Sequence, residues 1–539
     1  MILITLITFI YATLLFYVSA TAAELILPAT VFMFALSNFL EGVWLKTTTT
    51  VTARLDLKSF SKLPPYTFTT LALLTLTVTH TIMLWAITQP DTPINHTVVD
   101  IHRNNELLFG APVALRYDVD PLSIKFITVT AWIGLASSIY TTFYMKGEPE
   151  YLRFLTLLHF FLFSILIFFQ AKNILTGILG WELMGVYSYF LISFWKMKLN
   201  AVNAGSKAAV YNFISDASLI VFILTHYREL EHVEYPLVTQ HYILDLTKLT
   251  ETTYLLLFFP LAVAIRCKSV AGLLHFWLPE SMEAPVPASA LIHSATLVSA
   301  GIYLTLRYRY ALCSNYYTLT YLTLGACSSI LLGSLGTISH YDLKKILAYS
   351  TISNCGLMLL FALYTTENIC FLFFMFHGIH KAYAFFIIGF FFKKGGHKQD
   401  YRYFGNLAEK VMSQAGIIVI VFGSLGGTPL SFLYYVKHNA MLQLVGVPNV
   451  FVTYVIYASF ALTTVTSLIY SSRIIYYILK SPNHFKTQHY NEYTLEVEYV
   501  YVIKLFILYN LAMLYLLHHL PIADTTTLLL NQPRNLPIE

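Results

Sequence analysis

Residues 174–195, ILTGILGWELMGVYSYFLISFW, carry a single charged side chain, Glu182. A helix needs roughly 20 apolar residues to cross a hydrocarbon core about 30 Å thick. The apolar run is continuous, whereas the strands of a membrane β-barrel alternate between apolar and polar residues. The stretch therefore predicts a transmembrane helix that contains a carboxylate.

The same pattern recurs along the whole chain. Of its 539 residues, 57% are hydrophobic and 11% are charged, whereas soluble domains carry about 25% charged residues. The sequence therefore predicts an all-α, polytopic transmembrane helical bundle. With the same length criterion, about fifteen spans are expected, near 1–20, 23–45, 66–89, 121–145, 151–171, 174–195, 204–226, 252–277, 285–311, 317–339, 345–365, 367–392, 414–437, 450–479 and 497–519.

Composition also excludes several classes of function. The net charge is only +5, and the basic residues are scattered, so nucleic acid is not an expected partner. The five cysteines are widely spaced in apolar stretches, unlike the ligands of zinc or iron–sulfur sites. A glycine-rich nucleotide motif is missing from the sequence. We therefore expect membrane lipids around the chain and neither a cofactor nor a metal bound to it.

Charged and titratable side chains occur inside the predicted spans. A charge at the centre of a transmembrane helix costs about 2.5–3.5 kcal/mol on insertion scales, so each one needs an explanation. Any single member could be an end residue that reaches the interface, or part of an ion pair that only locks helices together. As a set they predict a path for protons, and the set is Glu182, Lys207, Asp216, Lys268, His293, His377, Lys381 and Lys437.

Glu182 and Lys268 form the expected ion pair, because neither charge is tolerable alone in hydrocarbon. Lys268 lies in a span that contains Pro260 and Gly272, so we expect it at a helix interruption. A carboxylate that approaches or leaves a buried ammonium changes the affinity of that ammonium for its proton. Such a pair is suited to proton transfer.

A second interrupted helix is predicted in the span 414–437, which contains Gly423, Gly426, Gly427 and Pro429. Paired interruptions in the two halves of a transporter indicate internal repeats, with broken helices at the transport site.

Two histidines could link the interruptions, because histidine exchanges protons near neutral pH. His293 and His377 lie between Lys268 and Lys437 in the sequence. A lone buried histidine is about as often a hydrogen-bonded core residue, so their assignment depends on the rest of the series.

The stretch from Asp118 to Lys437 resembles the antiporter-like subunit 5 of respiratory complex I, which is related to bacterial multisubunit cation/proton antiporters. The resemblance is carried by six motifs in the expected order: DPL at 120–122, GWELMGVYSY at 180–189, KS at 268–269, WLPESMEAP at 277–285, PASALIHSAT at 287–296 and DLKKILAYSTIS at 342–353. Lys437 favours subunit 5 over its sibling, which carries glutamate at the equivalent late broken helix.

This resemblance implies a bundle with two inverted repeats, each containing one broken helix. It implies three parts: N-terminal spans and a polar loop at 1–119, a proton-translocating core at 120–440, and C-terminal spans at 441–539. Glu182 and Lys268 would be the coupling pair, with His293, His377 and Lys437 along a polar axis.

The implied function is proton translocation in the membrane arm of NADH:quinone oxidoreductase, in the mitochondrial inner membrane. The chain would be an enzyme component whose redox centres reside in partner subunits. Its partners would be the other membrane-arm subunits, especially the neighbouring antiporter-like subunit. A subunit of a multisubunit sodium/proton antiporter and a structural membrane-arm subunit that no longer conducts protons are the alternatives.

The sequence departs from the family in several places: His438 stands where an acidic residue is expected after the late lysine, three spans instead of two precede Asp120, and two further departures concern Asp216 and the C-terminal part. The family usually has an arginine three residues before the aspartate that corresponds to Asp216, and here Phe213 stands instead, which weakens the expected ion-pair role of Asp216. The family typically continues into a long lateral helix and an anchoring span. Only two spans follow Lys437 here, and the 18 residues after Pro521 would reach about 27 Å as a helix. We therefore expect the lateral helix to be lacking from this chain.

Overall fold

The computed structural model describes residues 98–100, 107–108, 111–112, 116–118, 120–230, 250–394, 398–404, 412–429, 431–444, 450–480 and 497–519. The spans predicted near 1–20, 23–45 and 66–89 lie outside these residues.

Two short antiparallel strand pairs precede the helices. β1 (Val98–Asp100) pairs with β4 (Arg116–Asp118), and β2 (Leu107–Leu108) pairs with β3 (Ala111–Pro112). The rest of the described chain is helical. Its helices are α1 (Pro121–Tyr144), α2 (Tyr151–Gln170), α3 (Ile174–Ile192), α4 (Leu199–Leu230), α5 (Glu251–Lys268), α6 (Trp277–Glu280), α7 (Val286–Ser294), α8 (Leu297–Arg307), α9 (Arg309–Ser314), α10 (Tyr316–Ser339), α11 (Leu343–Tyr364), α12 (Glu367–Lys394), α13 (Met412–Gly426), α14 (Phe432–Gln443), α15 (Val450–Leu479) and α16 (Val497–His519).

The predicted all-α membrane fold is confirmed. Within the described residues, 10 helical segments are long and apolar enough to cross a membrane. α12 lies at the centre, because its most apolar stretch is entirely buried, whereas α4 and α15 lie at the periphery with most of theirs uncovered. α15 matches the first of the two spans expected after Lys437, whereas α16 has the bounds of the second and is described as a shorter apolar helix over Tyr499–Asn510. Residues 520–539 are outside the described part of the chain, and the lack of a lateral helix stays a prediction.

The first predicted interruption is confirmed at the end of α5. Lys268 is its last residue, and the chain then passes through Val270 at φ 60° and Gly272 at φ 72°. A left-handed conformation is unusual for a β-branched residue such as Val270 and easy for glycine. Pro260 lies inside α5, so the break follows the residues after Lys268 instead of the proline.

The second predicted interruption is confirmed at Gly427. α13 ends at Gly426, and Gly427 adopts φ 74°. Ser431 then caps α14, its side chain accepting a hydrogen bond of 3.3 Å from the Tyr434 amide.

A third interruption divides the predicted span 285–311 into α7 and α8, which the sequence analysis did not foresee. Ala295 and Thr296 leave helical geometry, with Thr296 at φ −121° and ψ −93°. The Thr296 hydroxyl donates to the Leu291 carbonyl at 2.7 Å, and Ser299 donates to the Ala295 carbonyl at 2.9 Å. Side-chain hydroxyls thus satisfy carbonyls that the missing helical bonds would leave unpaired.

Asp120 joins the start of α1 to the end of α8. It accepts a 2.9 Å bond from the Ser123 amide in a reciprocal capping box, and both terminal nitrogens of Arg307 donate to its carboxylate, one of them at 2.7 Å. The DPL motif at 120–122 thereby links the start of α1 to the end of α8.

Candidate functional site

Lys268 lies at the first break with its side chain fully buried. Its Nζ donates to the Trp181 carbonyl at 3.4 Å and lies 5.1 Å from the centre of the Trp181 ring. It also lies 4.0 Å from Oδ1 of Asp216 on α4. Gly185 makes room for it on α3, where an added Cβ would be 3.5 Å from this nitrogen. The break, a carbonyl, an aromatic face and one carboxylate therefore surround the ammonium.

The ion pair that Lys268 makes in the described structure is with Asp216 and not with Glu182, although Glu182 still acts electrostatically on Lys268. Glu182 is exposed on the surface of the chain, and no ion pair among the described residues joins it to Lys268. Successive residues on a helix are about 100° apart, so Glu182 is turned about 100° from Trp181, toward the surface of the chain.

The expectation that Phe213 weakens the ion-pair role of Asp216 is wrong. Phe213 is 72% exposed and points away from the bundle, so its presence does not hinder Asp216 from reaching Lys268. The carboxylate that accompanies the buried ammonium thus comes from α4.

His293 lies at the end of α7, beside the third break, and is fully buried. Its Nε2 lies 3.2 Å from the hydroxyl of Ser281 in the WLPESMEAP motif. The same motif supplies the hydrogen-bond acceptors of Lys344. Its buried Nζ donates to the Met282 and Ala284 carbonyls at 3.0 and 2.9 Å.

Lys344 is a member of the buried series that the sequence analysis missed. It is the second residue of α11, where a lysine usually reaches water. The sequence feature that could have identified Lys344 is its position in the DLKKILAYSTIS motif. Of the two adjacent lysines in that motif, Lys344 is buried and Lys345 is exposed.

Lys381 and His377 lie one turn apart on α12, and both are fully buried. Lys381 donates to the hydroxyl of Ser350 on α11. Neither ring nitrogen of His377 has a hydrogen-bond partner among the described residues. A buried imidazole of this kind is expected to bind ordered water.

Lys437 is buried on α14, and its ammonium turns back toward the second break. An added Cβ at Gly427 would lie 3.9 Å from Nζ, so the broken backbone and the cation are close together.

Lys207 belongs to a different environment from the rest of the predicted set. It makes an ion pair of 2.6 Å with Glu280, and both side chains are substantially exposed on the isolated chain. It is therefore not a member of the buried series.

The buried cations and histidines form a connected electrostatic series. His293 interacts with Lys344 and Lys381, while His377 interacts with Lys381 and Lys437. The Lys268–Asp216 pair lies at the first break, at the end of α5. The arrangement can hold and pass protons between adjacent groups, provided that water fills the intervals.

Comparisons with known proteins identify the family of this chain. Residues 171–465 match the family model described as NADH:quinone oxidoreductase/Mrp antiporter, TM. Residues 109–155 match the model described as NADH-Ubiquinone oxidoreductase (complex I), chain 5 N-terminus.

Curated relatives carry the same description. The NADH-ubiquinone oxidoreductase chain 5 of Paramecium tetraurelia is 32% identical over 392 residues, which cover 71% of this chain and 68% of the relative. That of Geomys personatus is 30% identical over 367 residues, which cover 68% of this chain and 59% of the relative.

A solved structure shares the fold. The Mrp complex from Dietzia sp. DQ12-45-1b contains a chain that superposes with a TM-score of 0.67 at 18% identity, over 85% of this chain and 54% of that one. The chain therefore belongs to the NADH:quinone oxidoreductase/Mrp antiporter family, and the relatives that it resembles are NADH-ubiquinone oxidoreductase chain 5 proteins.

Proposed function

We propose that this chain translocates protons as a membrane-arm subunit of an NADH:quinone oxidoreductase in the mitochondrial inner membrane. The observation that carries the proposal is the buried series of Lys344, His293, Lys381, His377 and Lys437, which ends at a broken helix. Purely structural charges would be expected to be paired with carboxylates, since an unpaired buried ion is costly. Here the buried lysines contact carbonyls and a hydroxyl.

The physical basis of transfer is repulsion between neighbouring cations. A proton that arrives on one member of the series raises the energy of a proton on the next, so coupled sites titrate together. The breaks supply free backbone carbonyls and room for water, which lipid would not provide. Moving one charge through 100 mV requires about 2.3 kcal/mol.

The Lys268–Asp216 pair is the candidate coupling element. The Asp216 carboxylate at 4.0 Å offsets part of the cost of burying the Lys268 ammonium. Movement of α4 away from α5 would remove that support and release the proton. In this proposal Glu182, which is exposed on the adjacent α3, would interact with a neighbouring antiporter-like subunit.

The redox chemistry belongs to partner subunits in this proposal. The energy of quinone reduction would reach this chain through the membrane arm. The proposed partners are the other membrane-arm subunits, including the neighbouring antiporter-like subunit.

Reconstitution of the purified assembly in proteoliposomes tests the proposal. NADH-driven acidification should fall strongly in Lys268→Ala and Lys437→Ala, while complex assembly is preserved. Lys196→Ala is the matched control, because Lys196 is an exposed lysine between α3 and α4. Full pumping by both buried-site variants would leave only the structural role.

A sodium/proton antiporter is the second candidate, because the Mrp complex shares the fold. The same vesicles distinguish the two functions. Sodium-dependent proton flux without NADH or quinone would favour the antiporter, whereas NADH-dependent flux that is equal in sodium-free buffer favours the oxidoreductase.

A further inference from the structure

Trp181 is a buried residue of α3 that faces both members of the Lys268–Asp216 pair. Its carbonyl accepts a hydrogen bond from the Lys268 ammonium at 3.4 Å, and the centre of its ring lies 5.1 Å from the same nitrogen. Its indole N–H interacts with the carboxylate of Asp216 on α4. One residue of α3 is therefore placed beside the buried cation and its counter-charge.

The hydrogen bonds of this cluster are incomplete. Within the part of the chain that the structure describes, neither Nε1 of Trp181 nor Oδ1 of Asp216 has a hydrogen-bond partner, although both atoms are buried. The Lys268 ammonium is 4.0 Å from Oδ1, which is beyond hydrogen-bond distance. Buried polar atoms without a partner are costly and rare in native structures. The carboxylate thus lies near two donors, and its Oδ1 is bonded to neither.

The packing of Trp181 fixes its position against α2. The centre of its ring lies 5.4 Å from that of Phe168. The preceding residue, Gly180, lies so close to α2 that an added Cβ would be 2.6 Å from the Phe168 backbone nitrogen. Most of α4 is instead uncovered on the isolated chain. A change in the distances between the carboxylate and its two donors is therefore expected from movement of α4, while Trp181 stays in place.

Release of the proton from Lys268 removes the positive charge that Asp216 faces. The carboxylate stays ionised, with a buried oxygen that then has no cation beside it, and such a group is strongly disfavoured unless it accepts a hydrogen bond. An indole N–H is a donor only. Trp181 is therefore suited to stabilise the carboxylate without competing for the proton.

We propose that Trp181 is a positioning residue of the Lys268–Asp216 pair, whose indole N–H holds the Asp216 carboxylate while Lys268 is without its proton. The carboxylate alternates between the ammonium and the indole as α4 moves. This inference rests on the proton translocation proposed above and adds a second donor to its coupling element. The indole itself transfers no proton.

Trp181→Phe tests the proposal, because phenylalanine keeps an aromatic ring and the backbone carbonyl but removes the N–H donor. Trp132→Phe is the matched control. Nε1 of Trp132 on α1 is also buried without a hydrogen-bond partner among the described residues, and its ring packs against Tyr509 on α16. The number of protons pumped per NADH in proteoliposomes should fall several-fold in Trp181→Phe and stay at the wild-type level in Trp132→Phe. A wild-type ratio in Trp181→Phe, or equal losses in both variants, would overturn the proposal.

The pH profile separates positioning from packing. Loss of a donor makes the ionised carboxylate less favourable, so the profile of protons per NADH should move to higher pH by about one unit in Trp181→Phe. Among the described residues, the titratable groups that act on Asp216 are Lys268 and Cys267 on α5 and Glu182 on α3, and this variant leaves all three unchanged. A lower ratio with an unshifted profile would show that Trp181 only packs.

Replacement of Trp181 by benzothienylalanine keeps both rings and puts sulfur in place of the indole N–H. It should reproduce the loss and the shift of Trp181→Phe, and wild-type pumping in this variant would refute the role of the N–H even if Trp181→Phe does not assemble. Lys268→Ala in the same vesicles distinguishes the two proposals. Full pumping by Lys268→Ala refutes proton translocation through Lys268, whereas lost pumping in Lys268→Ala with wild-type behaviour of both Trp181 variants refutes only the role of Trp181.

Discussion

The carboxylate of Asp216 lies 4.0 Å from the ammonium of Lys268, across the contact between α4 and α5. Asp216→Asn would leave the buried ammonium without a counter-charge. We therefore expect this variant to lower the number of protons translocated per NADH at least as much as Glu182→Gln does, while the rate of electron transfer is less affected. Proton stoichiometry in proteoliposomes checks this, and an unchanged stoichiometry in Asp216→Asn would remove the pair from the mechanism.

Lys344→Met should destabilise the chain, because the Met282 and Ala284 carbonyls would lose a buried donor. Unsatisfied buried groups cost about 1–3 kcal/mol each. Lys345→Met is the control, since Lys345 is exposed and forms only a 3.7 Å pair with Asp342. Its effect should stay within about 1 kcal/mol. Thermal unfolding of the detergent-solubilised complex measures both, and equal melting temperatures would contradict the role given to Lys344.

Gly180→Ala should separate α2 from α3. The new Cβ would lie 2.6 Å from the backbone nitrogen of Phe168, which cannot move aside as a flexible side chain could. Overpacking of this kind costs about 1–3 kcal/mol. Gly416→Ala on α13 is the matched control, because nothing lies within 4 Å of its added Cβ. Assembly yield and thermal stability should fall only in the first variant.

The Asp120–Arg307 pair predicts a pH-dependent contribution to stability. Burial alone would raise the pKa of the Asp120 carboxyl, but Arg307 and the Ser123 bonds outweigh burial and hold it below its ordinary value near 3.8. A lowered native pKa contributes stability that is present above the ordinary value and lost as the pH falls through the native one. Asp120→Asn should thus be less stable than wild type at pH 7, with a difference that narrows below about pH 4.

Thermal unfolding from pH 7 to pH 3 measures this difference. Asp342→Asn serves as the comparison, because Asp342 is more exposed and only loosely paired. If the difference in thermal stability between wild type and Asp120→Asn stays constant from pH 7 to pH 3, the carboxylate charge is not the stabilising feature.

The apolar runs and glycines predicted most of the fold, because membrane thickness fixes helix length and left-handed backbone favours glycine. They did not predict the break between α7 and α8, where Ala295 and Thr296 are not typical helix breakers and hydroxyls replace the lost bonds. The predicted ion-pair partner of Lys268, Glu182, also differs from the observed one, Asp216. Glu182 and Asp216 both lie in neighbouring spans, and the choice between them depends on helix rotation, which a single sequence does not specify.

The clamp between Asp120 and Arg307 joins residues that are 187 positions apart in the chain. At about 5–20 residues per second, a ribosome needs roughly 10–40 s to make the intervening segment. During that interval the carboxylate that caps α1 stands in or near the membrane without its partner. The contact between α1 and α8 therefore forms only after Arg307 has been synthesised. An insertion factor that shields the start of α1 until α8 emerges would shorten the exposure of the unfinished bundle to proteolysis, and a nascent chain that stalls before Arg307 would remain open to degradation.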